Sequence, residues 1–322
     1  MIDSNLKKVN LGRLTARGQK YFPPKIGVFS FVKEFYPGKK VRHFDFAIYQ
    51  DEKGKRAIAK QWNKSCKHIN RYWLQNEINV YREIHRVIDQ NRQIEQKYPN
   101  FHIPNLLGVV QEKNEITMLI EDIDGQTLNN LTIEKQVAIF SEAVNFINFL
   151  GSKLDSAAKS ILIKRTMWHI AAMFPFVFAL AVISHPCKFL NIARGGIVFC
   201  INMSRIFNLK NTNLVHRDLY LKHIITKGND VWIIDFQISA ITNPAFELAG
   251  LMIFMWNNRD FCEAMEKSPL MEEVKKEKNK FYSYKILSIY IAIYNLGAVK
   301  TIPSDQAFSY LRHYLGLKYQ ND

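Results

Sequence analysis

The sequence predicts an α+β protein with two lobes, a small one built on an antiparallel sheet and a larger, mostly helical one. In the first third of the chain, short alternating stretches rich in Val, Ile and Phe surround a single long helical pattern. Beyond that, the patterns are mostly helical. With 322 residues, of which 48% are hydrophobic, the chain has enough apolar side chains for a sizeable core.

The first lobe, predicted over 1–122, follows from the order strand, strand, strand, helix, strand, strand. Turn residues separate neighbouring strands, for example Asp-Glu-Lys-Gly-Lys at 51–55. The strands are expected at 26–35, 41–49, 57–60, 106–111 and 116–121, and the helix at about 70–95. A linker at 122–125 then leads to the helical second lobe, predicted over 123–322.

The second lobe contains a hydrophobic helical insertion at about 156–210. Its most apolar part, the seventeen residues 167–183, is flanked by Lys164-Arg165 and by Lys188. Seventeen residues of helix span about 25 Å, less than the roughly 30 Å of a bilayer core, and Pro175 favours a kink. A transmembrane helix is therefore the least favoured interpretation. A buried helix and an interfacial hairpin in contact with a membrane both stay open.

The charge indicates an anionic partner. Forty-four Lys and Arg residues against 29 Asp and Glu give a formal charge of +15. Nucleotide phosphates, an acidic membrane surface or an anionic saccharide would suit this excess, and a generally basic surface is the simpler alternative. No pattern resembles a nucleic-acid-binding module, so nucleic acid is not expected.

The cysteines and the N-terminus indicate a cytoplasmic protein. The four cysteines are widely spaced and form no Cys-x-x-Cys pair, which is typical of free thiols in a reducing compartment. The first residues lack the apolar core of a signal peptide. We therefore expect a cytoplasmic protein. If 167–183 is the interfacial hairpin and not a buried helix, it would contact the inner face of the cytoplasmic membrane peripherally.

The most informative feature is a pair of acidic residues. Asp218 and Asp235 lie seventeen positions apart, each at the end of an apolar run typical of a β-strand. Phosphoryl transfer from a nucleotide needs two such carboxylates, one to receive the proton of the acceptor hydroxyl and one to hold the metal that bridges the phosphates. Asp218 is the candidate catalytic base and Asp235 the candidate metal ligand. A turn-capping role for Asp218 is the alternative.

Lys60 and Glu77 are candidates for nucleotide binding. Lys60 ends the third predicted strand after Ala-Ile-Ala, and Glu77 falls within the inward-facing stripe that runs from Trp73 to Val87 on the predicted helix. A carboxylate on such a stripe is costly unless it is paired, and Lys60 is the obvious partner. The alternative is that Glu77 lies at the edge of the stripe and reaches solvent.

Two runs, His-Arg-Asp-Leu-Tyr-Leu-Lys-His-Ile at 216–224 and Ile-Ile-Asp-Phe at 233–236, resemble the catalytic and metal-binding loops of the protein-kinase-like fold. The resemblance implies a two-lobed fold of that kind. It implies that Lys60, paired with Glu77, contacts the nucleotide phosphates. It also implies that the main chain at Glu121 and Ile123 binds the adenine ring.

Two residues after Asp218 have open roles. Lys222 lies either near the transferred phosphate or simply on the surface. His223 stands where a protein kinase has the Asn that binds a second metal ion. Because neutral imidazole is a poorer Mg²⁺ ligand than an amide oxygen, His223 ligates weakly, acts through water, or marks a lost metal site.

Other departures count against a protein kinase. No Gly-x-Gly-x-x-Gly precedes Lys60; the turn at 36–40, Tyr-Pro-Gly-Lys-Lys, offers one glycine and two lysines to the phosphates instead. Gln237 replaces the Gly that usually follows Asp-Phe. Only seven residues separate Asp235 from Asn243-Pro244, where a helix over 245–256 is predicted to begin. That run is too short for a segment that holds a peptide substrate, so a small molecule or a glycolipid is the expected acceptor.

The same motifs, with His at 223 and Gln at 237, resemble those of the bacterial lipopolysaccharide core heptose and Kdo kinases. That resemblance implies phosphorylation of a sugar hydroxyl of a glycolipid, or of a related anionic saccharide, with ATP and Mg²⁺ or Mn²⁺. Two alternatives remain. One is a small-molecule kinase of the aminoglycoside or choline type, and the other is a membrane-associated pseudokinase that serves as a scaffold.

Overall fold

The computed structural model describes residues 22–35, 44–63, 66–208, 212–299 and 301–316. The elements of the first lobe are β1 (Lys25–Ile26), β2 (Phe29–Phe35), β3 (Asp45–Gln50), β4 (Arg56–Asn63), α1 (His68–Gln90), α2 (Arg92–Lys97), β5 (Phe101–His102), β6 (Leu106–Glu112) and β7 (Glu115–Glu121). Six of these strands form one antiparallel sheet in the order β1-β2-β3-β4-β7-β6. Lys60 lies inside this sheet, opposite Phe46 on β3 and Met118 on β7.

The predicted order of strands and helix is correct, but several bounds differ. The first predicted strand is two strands, because Gly27 adopts a left-handed φ of 58° and turns the chain between them. The predicted helix is also two helices, which meet at Asn91. The start of the second predicted strand and the turn at 36–40 lie outside the described residues.

The helix α1 buries a wider face than the predicted stripe. Trp73 is only partly buried, whereas Leu74 and Tyr81 are fully buried. Glu77 lies in the middle of the buried face and is 1% exposed. The alternative that Glu77 reaches solvent is therefore wrong.

The second lobe is mostly helical, which confirms the α+β class. Its elements are β8 (Gln126–Thr127), α3 (Ile133–Lys153), α4 (Ser156–Ile161), α5 (Met167–Ser184), α6 (Phe189–Ile206), β9 (Asn213–Val215), β10 (Ile224–Lys227), β11 (Asp230–Ile233), β12 (Ala240–Thr242), α7 (Ala245–Met255), α8 (Arg259–Glu266), α9 (Pro269–Lys276), α10 (Lys278–Tyr294) and α11 (Ser304–Tyr314). At the start of α7, the Asn243 side chain accepts a hydrogen bond from Ala245 N, as the Asn-Pro sequence predicts.

Two small sheets organise the second lobe around its loops. One has the order β5-β11-β10-β8, so β5, which precedes the predicted boundary at 122, pairs with β11 of the second lobe. The other pairs β12 with β9. The chain that leaves Asp235 thus returns directly beside the strand that leads into Asp218.

The apolar segment at 167–183 has one buried face and one exposed face. α5 packs one stripe against the second lobe, namely Ile170, Phe174, Val177 and Ala181. The Phe174 ring lies 4.8 Å from Phe199 of α6 and 6.1 Å from Tyr290 of α10. The helix continues through Pro175. By length and composition α5 could cross a membrane, and it alone meets that test in the described part of the chain.

Close backbone packing behind α5 gives a stability prediction. A Cβ at Gly297, in the π-helical turn Asn295–Val299, would lie 2.2 Å from the carbonyl oxygen of Val177. We expect Gly297→Ala to lower the free energy of unfolding by about 1–3 kcal/mol, because backbone rather than a side chain must move. Urea denaturation followed by circular dichroism measures this.

Gly250→Ala is the matched control. Gly250 lies within α7, and nothing lies within 4 Å of its added Cβ. Ala is favoured over Gly in a helix interior, so this variant should gain about 0.5–1 kcal/mol. Equal changes in the two variants would contradict close packing at Gly297.

Candidate active site

A β-hairpin brings the two aspartates together. β10 and β11 pair with Ile224 opposite Ile233. Asp218 precedes the first of these residues by six positions and Asp235 follows the second by two. Both carboxylates therefore emerge at the same end of the hairpin, although seventeen residues separate them in sequence.

Asp218, His223 and Asp235 form a cluster whose ligand atoms lie within 4.8 Å of one another. His223 Nε2 is 3.6 Å from Asp235 Oδ2, and His223 Nδ1 is 3.7 Å from Asp218 Oδ2. All three residues are candidates from the sequence. Their convergence makes the cluster the candidate metal centre.

The hydrogen bond of His223 fixes which ring nitrogen faces the cluster. Nδ1 lies 2.6 Å from the backbone carbonyl oxygen of Asp218, which can only accept, so Nδ1 carries the proton. Burial lowers the pKa of His223, which favours the neutral ring. The lone pair of Nε2 then points toward Asp235. One nitrogen and carboxylate oxygens fit a divalent metal that tolerates imidazole.

Lys60, on β4 of the first lobe, connects that lobe to the cluster in the second lobe. Its Nζ lies 2.7 Å from Glu77 Oε2 and 2.8 Å from Asp235 Oδ1, and it donates to Gln237 Oε1 at 3.1 Å. The Lys60–Glu77 pair expected from the helical stripe is thus present. Gln237, which stands where a Gly is usual, anchors the same ammonium group.

Burial and charge set the protonation of these groups in opposite directions. Burial, reinforced by the charge of Asp235, raises the pKa of Asp218 to about 7. Burial also raises the pKa of Glu77 to about 7, against the attraction of Lys60. Burial of Asp235 is outweighed by the charge and the hydrogen bond of Lys60, which lower the pKa of Asp235 to about 2. The cluster therefore pairs an ionised carboxylate at Asp235 with one at Asp218 that exchanges its proton near neutral pH.

Two residues of the site have left-handed backbones, Arg217 with a φ of 68° and Asp235 with a φ of 67°. Asp adopts this region readily, whereas Arg does so rarely and needs support. The support comes from Glu247 on α7, whose Oε1 accepts a hydrogen bond from Arg217 N. Burial raises the pKa of Glu247 to about 8. Glu247 was not predicted; its position one turn into an apolar helix was the available signal.

Phe236 and Asn76 connect α1 to the loops. The Phe236 ring is fully buried, 4.5 Å from the His216 ring and 5.6 Å from the Tyr81 ring. The Asn76 side chain donates to the backbone oxygens of Gln237 and Ser239. Asn76 was also missed by the sequence reasoning, because a buried Asn on a helix carries no distinctive pattern.

The remaining predicted site residues lie apart from the cluster contacts. Lys222 is exposed, and its positive charge offsets only part of the rise in the pKa of Asp218 that burial causes. The Glu121 side chain pairs with Lys55 and accepts from Asn105, so any contact of Glu121 with adenine falls to its main chain. Ile123 is partly buried on the linker after β7. The adenine-binding role of Glu121 and Ile123 stays a prediction.

The comparisons with known proteins establish the fold. No protein-family model matches this chain, and no curated protein is significantly similar to it in sequence. A choline kinase from Cryptosporidium parvum is 15% identical, with a TM-score of 0.52 over 90% of this chain and 88% of that one. An amicoumacin kinase in complex with AMP-PNP and Ca²⁺ is 10% identical, with a TM-score of 0.52 over 89% and 87%.

A macrolide 2′-phosphotransferase type I is 12% identical, with a TM-score of 0.52 over 90% of this chain and 92% of that one. All three similar proteins have names of small-molecule kinases or phosphotransferases. At this level of identity the likeness shows the fold, which is the two-lobed protein-kinase-like fold that the motifs imply.

The buried Lys60 gives a pH-dependent prediction. In Lys60→Met, Glu77 and Asp235 lose their shared cation, so the folded pKa of Glu77 rises further and that of Asp235 rises above its unfolded value of about 4. A carboxyl group with a raised folded pKa loses stability as the pH rises between the two values. We expect Lys60→Met to lose about 3–5 kcal/mol at pH 8 and clearly less at pH 5, measured by urea denaturation.

Lys55→Met is the control for this measurement. Lys55 pairs with Glu121 at 3.2 Å, but its side chain is half exposed. Its loss should stay below about 1 kcal/mol and be flat between pH 5 and 8. A Lys60→Met loss that is the same at both pH values would show that the buried carboxylates do not depend on Lys60.

Proposed function

We propose that this protein is an ATP-dependent phosphotransferase that acts on a sugar hydroxyl of a lipopolysaccharide-type glycolipid or a related anionic saccharide. The observation that carries the kinase assignment is the convergence of two sets of residues, which meet where Lys60 contacts Asp235. These are the Lys60–Glu77 pair and the cluster of Asp218, His223 and Asp235. One set suits nucleotide phosphates, and the other suits a metal ion and a hydroxyl group.

Asp218 is the proposed general base. A carboxylate with a pKa of about 7 can accept the proton of a hydroxyl group as that oxygen attacks the γ-phosphorus, and the bond from the γ-phosphorus to the ADP oxygen then breaks. The backbone at Asp218 is held in place because Glu247 accepts from Arg217 N on one side and His223 donates to the Asp218 carbonyl oxygen on the other. Lys222, exposed beside this loop, adds positive charge.

Asp235 and His223 are the residues that would hold Mg²⁺ or Mn²⁺. A divalent ion bound by these residues would neutralise negative charge on the phosphates. Lys60 already contacts Asp235, so a nucleotide would compete with that carboxylate for the ammonium group while Glu77 keeps it oriented. Lys60 would thereby pass from a link between the lobes to a ligand of the phosphates.

Three features support a glycolipid acceptor. The motif with His223 and Gln237 resembles that of the lipopolysaccharide core kinases, and the formal charge of +15 suits an anionic molecule. The short chain between Asp235 and Asn243 leaves no room for a segment that holds a peptide. We propose a cytoplasmic location at the inner face of the membrane, where such an acceptor is made accessible.

A soluble small-molecule acceptor is the second candidate. The observation that favours it is the likeness to kinases whose names refer to choline, amicoumacin and macrolides. Both candidates use the same residues, so they differ in acceptor alone. Transfer from ATP to delipidated core saccharide, compared with choline and an aminoglycoside, separates them.

Variants of the two aspartates test the kinase assignment. We expect Asp218→Asn to keep ATP- and metal-dependent thermal stabilisation but to lose a factor of about 10² to 10⁴ in ATP turnover, because the base is removed and the metal ligand stays. Asp235→Asn should lose both. Thermal shift and a coupled ADP assay measure the two quantities.

Asp230→Asn, an acid-to-amide change on β11 outside the cluster, is the control and should behave as wild type. If wild-type protein shows no metal-dependent stabilisation at millimolar ATP, both kinase hypotheses fail and the pseudokinase alternative gains.

His223 makes the metal preference predictable. Imidazole nitrogen suits Mn²⁺ better than Mg²⁺, which prefers oxygen. We expect the ratio of Mn²⁺- to Mg²⁺-supported turnover to fall in His223→Asn, which restores an amide oxygen. His102→Asn, a partly exposed histidine on β5, is the control. An unchanged ratio in His223→Asn would mean that His223 does not bind the metal.

A further inference from the structure

The antiparallel pair α5 and α6 exposes an unusually apolar surface. Among the large apolar side chains of the described residues, the five most exposed all lie on this pair, and each is 71 to 75% exposed; they are Trp168, Phe176, Ile183, Leu190 and Ile201. Monomeric soluble proteins rarely leave such side chains contiguous and uncovered. This exposed apolar surface therefore indicates a site that binds a partner.

The exposed residues form one stripe on each helix. On α5 they recur at 168, 172, 176, 180 and 183, and on α6 at 190, 194, 197 and 201. Both are helical spacings that keep residues on one face. The opposite faces of both helices pack on Tyr290 of α10, through Phe174 and Phe199. Both stripes thus point away from the lobe. We name these exposed residues the outer face.

The two helices pack closely on each other and on α10 beneath the outer face. A Cβ at Gly196 of α6 would lie 2.5 Å from the Phe178 ring of α5, and a Cβ at Gly195 would lie 3.0 Å from Ile293 of α10. The two glycines let α6 approach both neighbours closely. Phe178 consequently belongs to the packing between the helices and not to the outer face.

Charge around the outer face has one sign. The 62 residues from Ser156 to Arg217 include eight Lys and Arg and no Asp or Glu. Arg194 lies within the exposed stripe of α6. Arg205, also on α6, is exposed one turn beyond Ile201, the last residue of that stripe. Neither makes an ion pair among the described residues. An apolar stripe with an internal Arg and a terminal Trp suits the headgroup region of a bilayer, where Arg reaches phosphates and Trp lies at the interface.

We propose that the outer face of α5 and α6 lies in the surface of an anionic phospholipid bilayer, parallel to its plane, with Arg194 and Arg205 on lipid phosphates. The buried stripe of α5 stays on the second lobe, so the helix rests on the bilayer and does not cross it. The inference rests on the membrane location in the proposed function and assigns the contact to one surface; it is independent of the kinase assignment, since it needs neither ATP nor an acceptor.

A second copy of the chain is a poorer occupant. Two outer faces brought together would oppose Arg194 and Arg205 of one copy to basic residues of the other, with no acidic residue between 156 and 217 to pair with them. Like charges across an interface are unfavourable. A bilayer with anionic lipids supplies the missing negative charge.

Co-sedimentation with vesicles tests the proposal. The full chain is mixed with vesicles of phosphatidylcholine alone or with about a quarter phosphatidylglycerol. We expect binding to the anionic vesicles that weakens with salt, and about a fivefold loss in Arg194→Ala. The double variant Ile183→Glu/Ile201→Glu should bind at least about a hundredfold more weakly, because it loses two apolar contacts with the bilayer and would have to place two negative charges there.

The control variant carries Ile69→Glu with Tyr72→Glu. These residues are exposed on α1, and the substitutions change the net charge equally. The control should bind like wild type. Circular dichroism checks that both double variants fold. Exposed Cys200 of α6, next to Ile201 of the outer face, gives a second measurement. It is labelled with an environment-sensitive fluorophore in a Cys187→Ser variant, because Cys187 is also exposed, and its emission should shift to the blue on anionic vesicles.

Three results would overturn the proposal. The first is no sedimentation of wild type with anionic vesicles and no shift at Cys200. The second is equal binding by the two folded double variants. The third is a stable dimer in analytical ultracentrifugation that the Ile183→Glu/Ile201→Glu variant abolishes, without vesicle binding by wild type. Asp218→Asn should bind vesicles normally, so failure of the kinase assignment leaves this test intact.

Discussion

The structure of the site depends on one buried cation. Lys60 belongs to the central part of the first-lobe sheet, Glu77 to α1 and Asp235 to the second lobe, and the Lys60 ammonium group contacts both carboxylates. In a nearly dry environment, one amine between two acids leaves one acid undercompensated. Burial, together with the charge of Asp235, raises the pKa of Glu77 despite the attraction of Lys60, while Asp235 stays ionised. The contact joins the two lobes at the candidate active site.

Around this contact, the loops are held by backbone groups more than by the candidate catalytic side chains. His216 bonds to the carbonyl oxygen of Ile234, His223 bonds to that of Asp218, and Glu247 receives the Arg217 amide. Main-chain anchoring leaves the Asp218 carboxylate without a side-chain role in holding the loop, while the Asp235 carboxylate bonds to Lys60. It also explains how His223 fills an Asn position, since Nδ1 serves the loop and Nε2 faces the metal centre.

Sequence patterns predicted the order of elements, the fold class and the Lys60–Glu77 pair. They succeeded because strands, amphipathic helices and costly buried charges leave local periodic signals. They failed at Gly27 and Asn91, where single residues end an element. They also missed Glu247 and Asn76, whose contacts are with residues thirty or more positions away. Long-range contacts of single polar side chains have no local periodicity.

The apolar segment at 167–183 shows most clearly what the sequence determined and what only the folded structure decided. Its composition alone left both a buried helix and an interfacial hairpin open, because an apolar helix has no polar face to indicate its environment. Packing on α10 removes one stripe from solvent and leaves the other exposed. Local residue chemistry thus predicted which groups could act, namely two aspartates, a lysine and a histidine. Distance, tautomer, pKa and exposure depend on neighbours that the chain brings together only on folding, since electrostatics and burial are properties of surroundings.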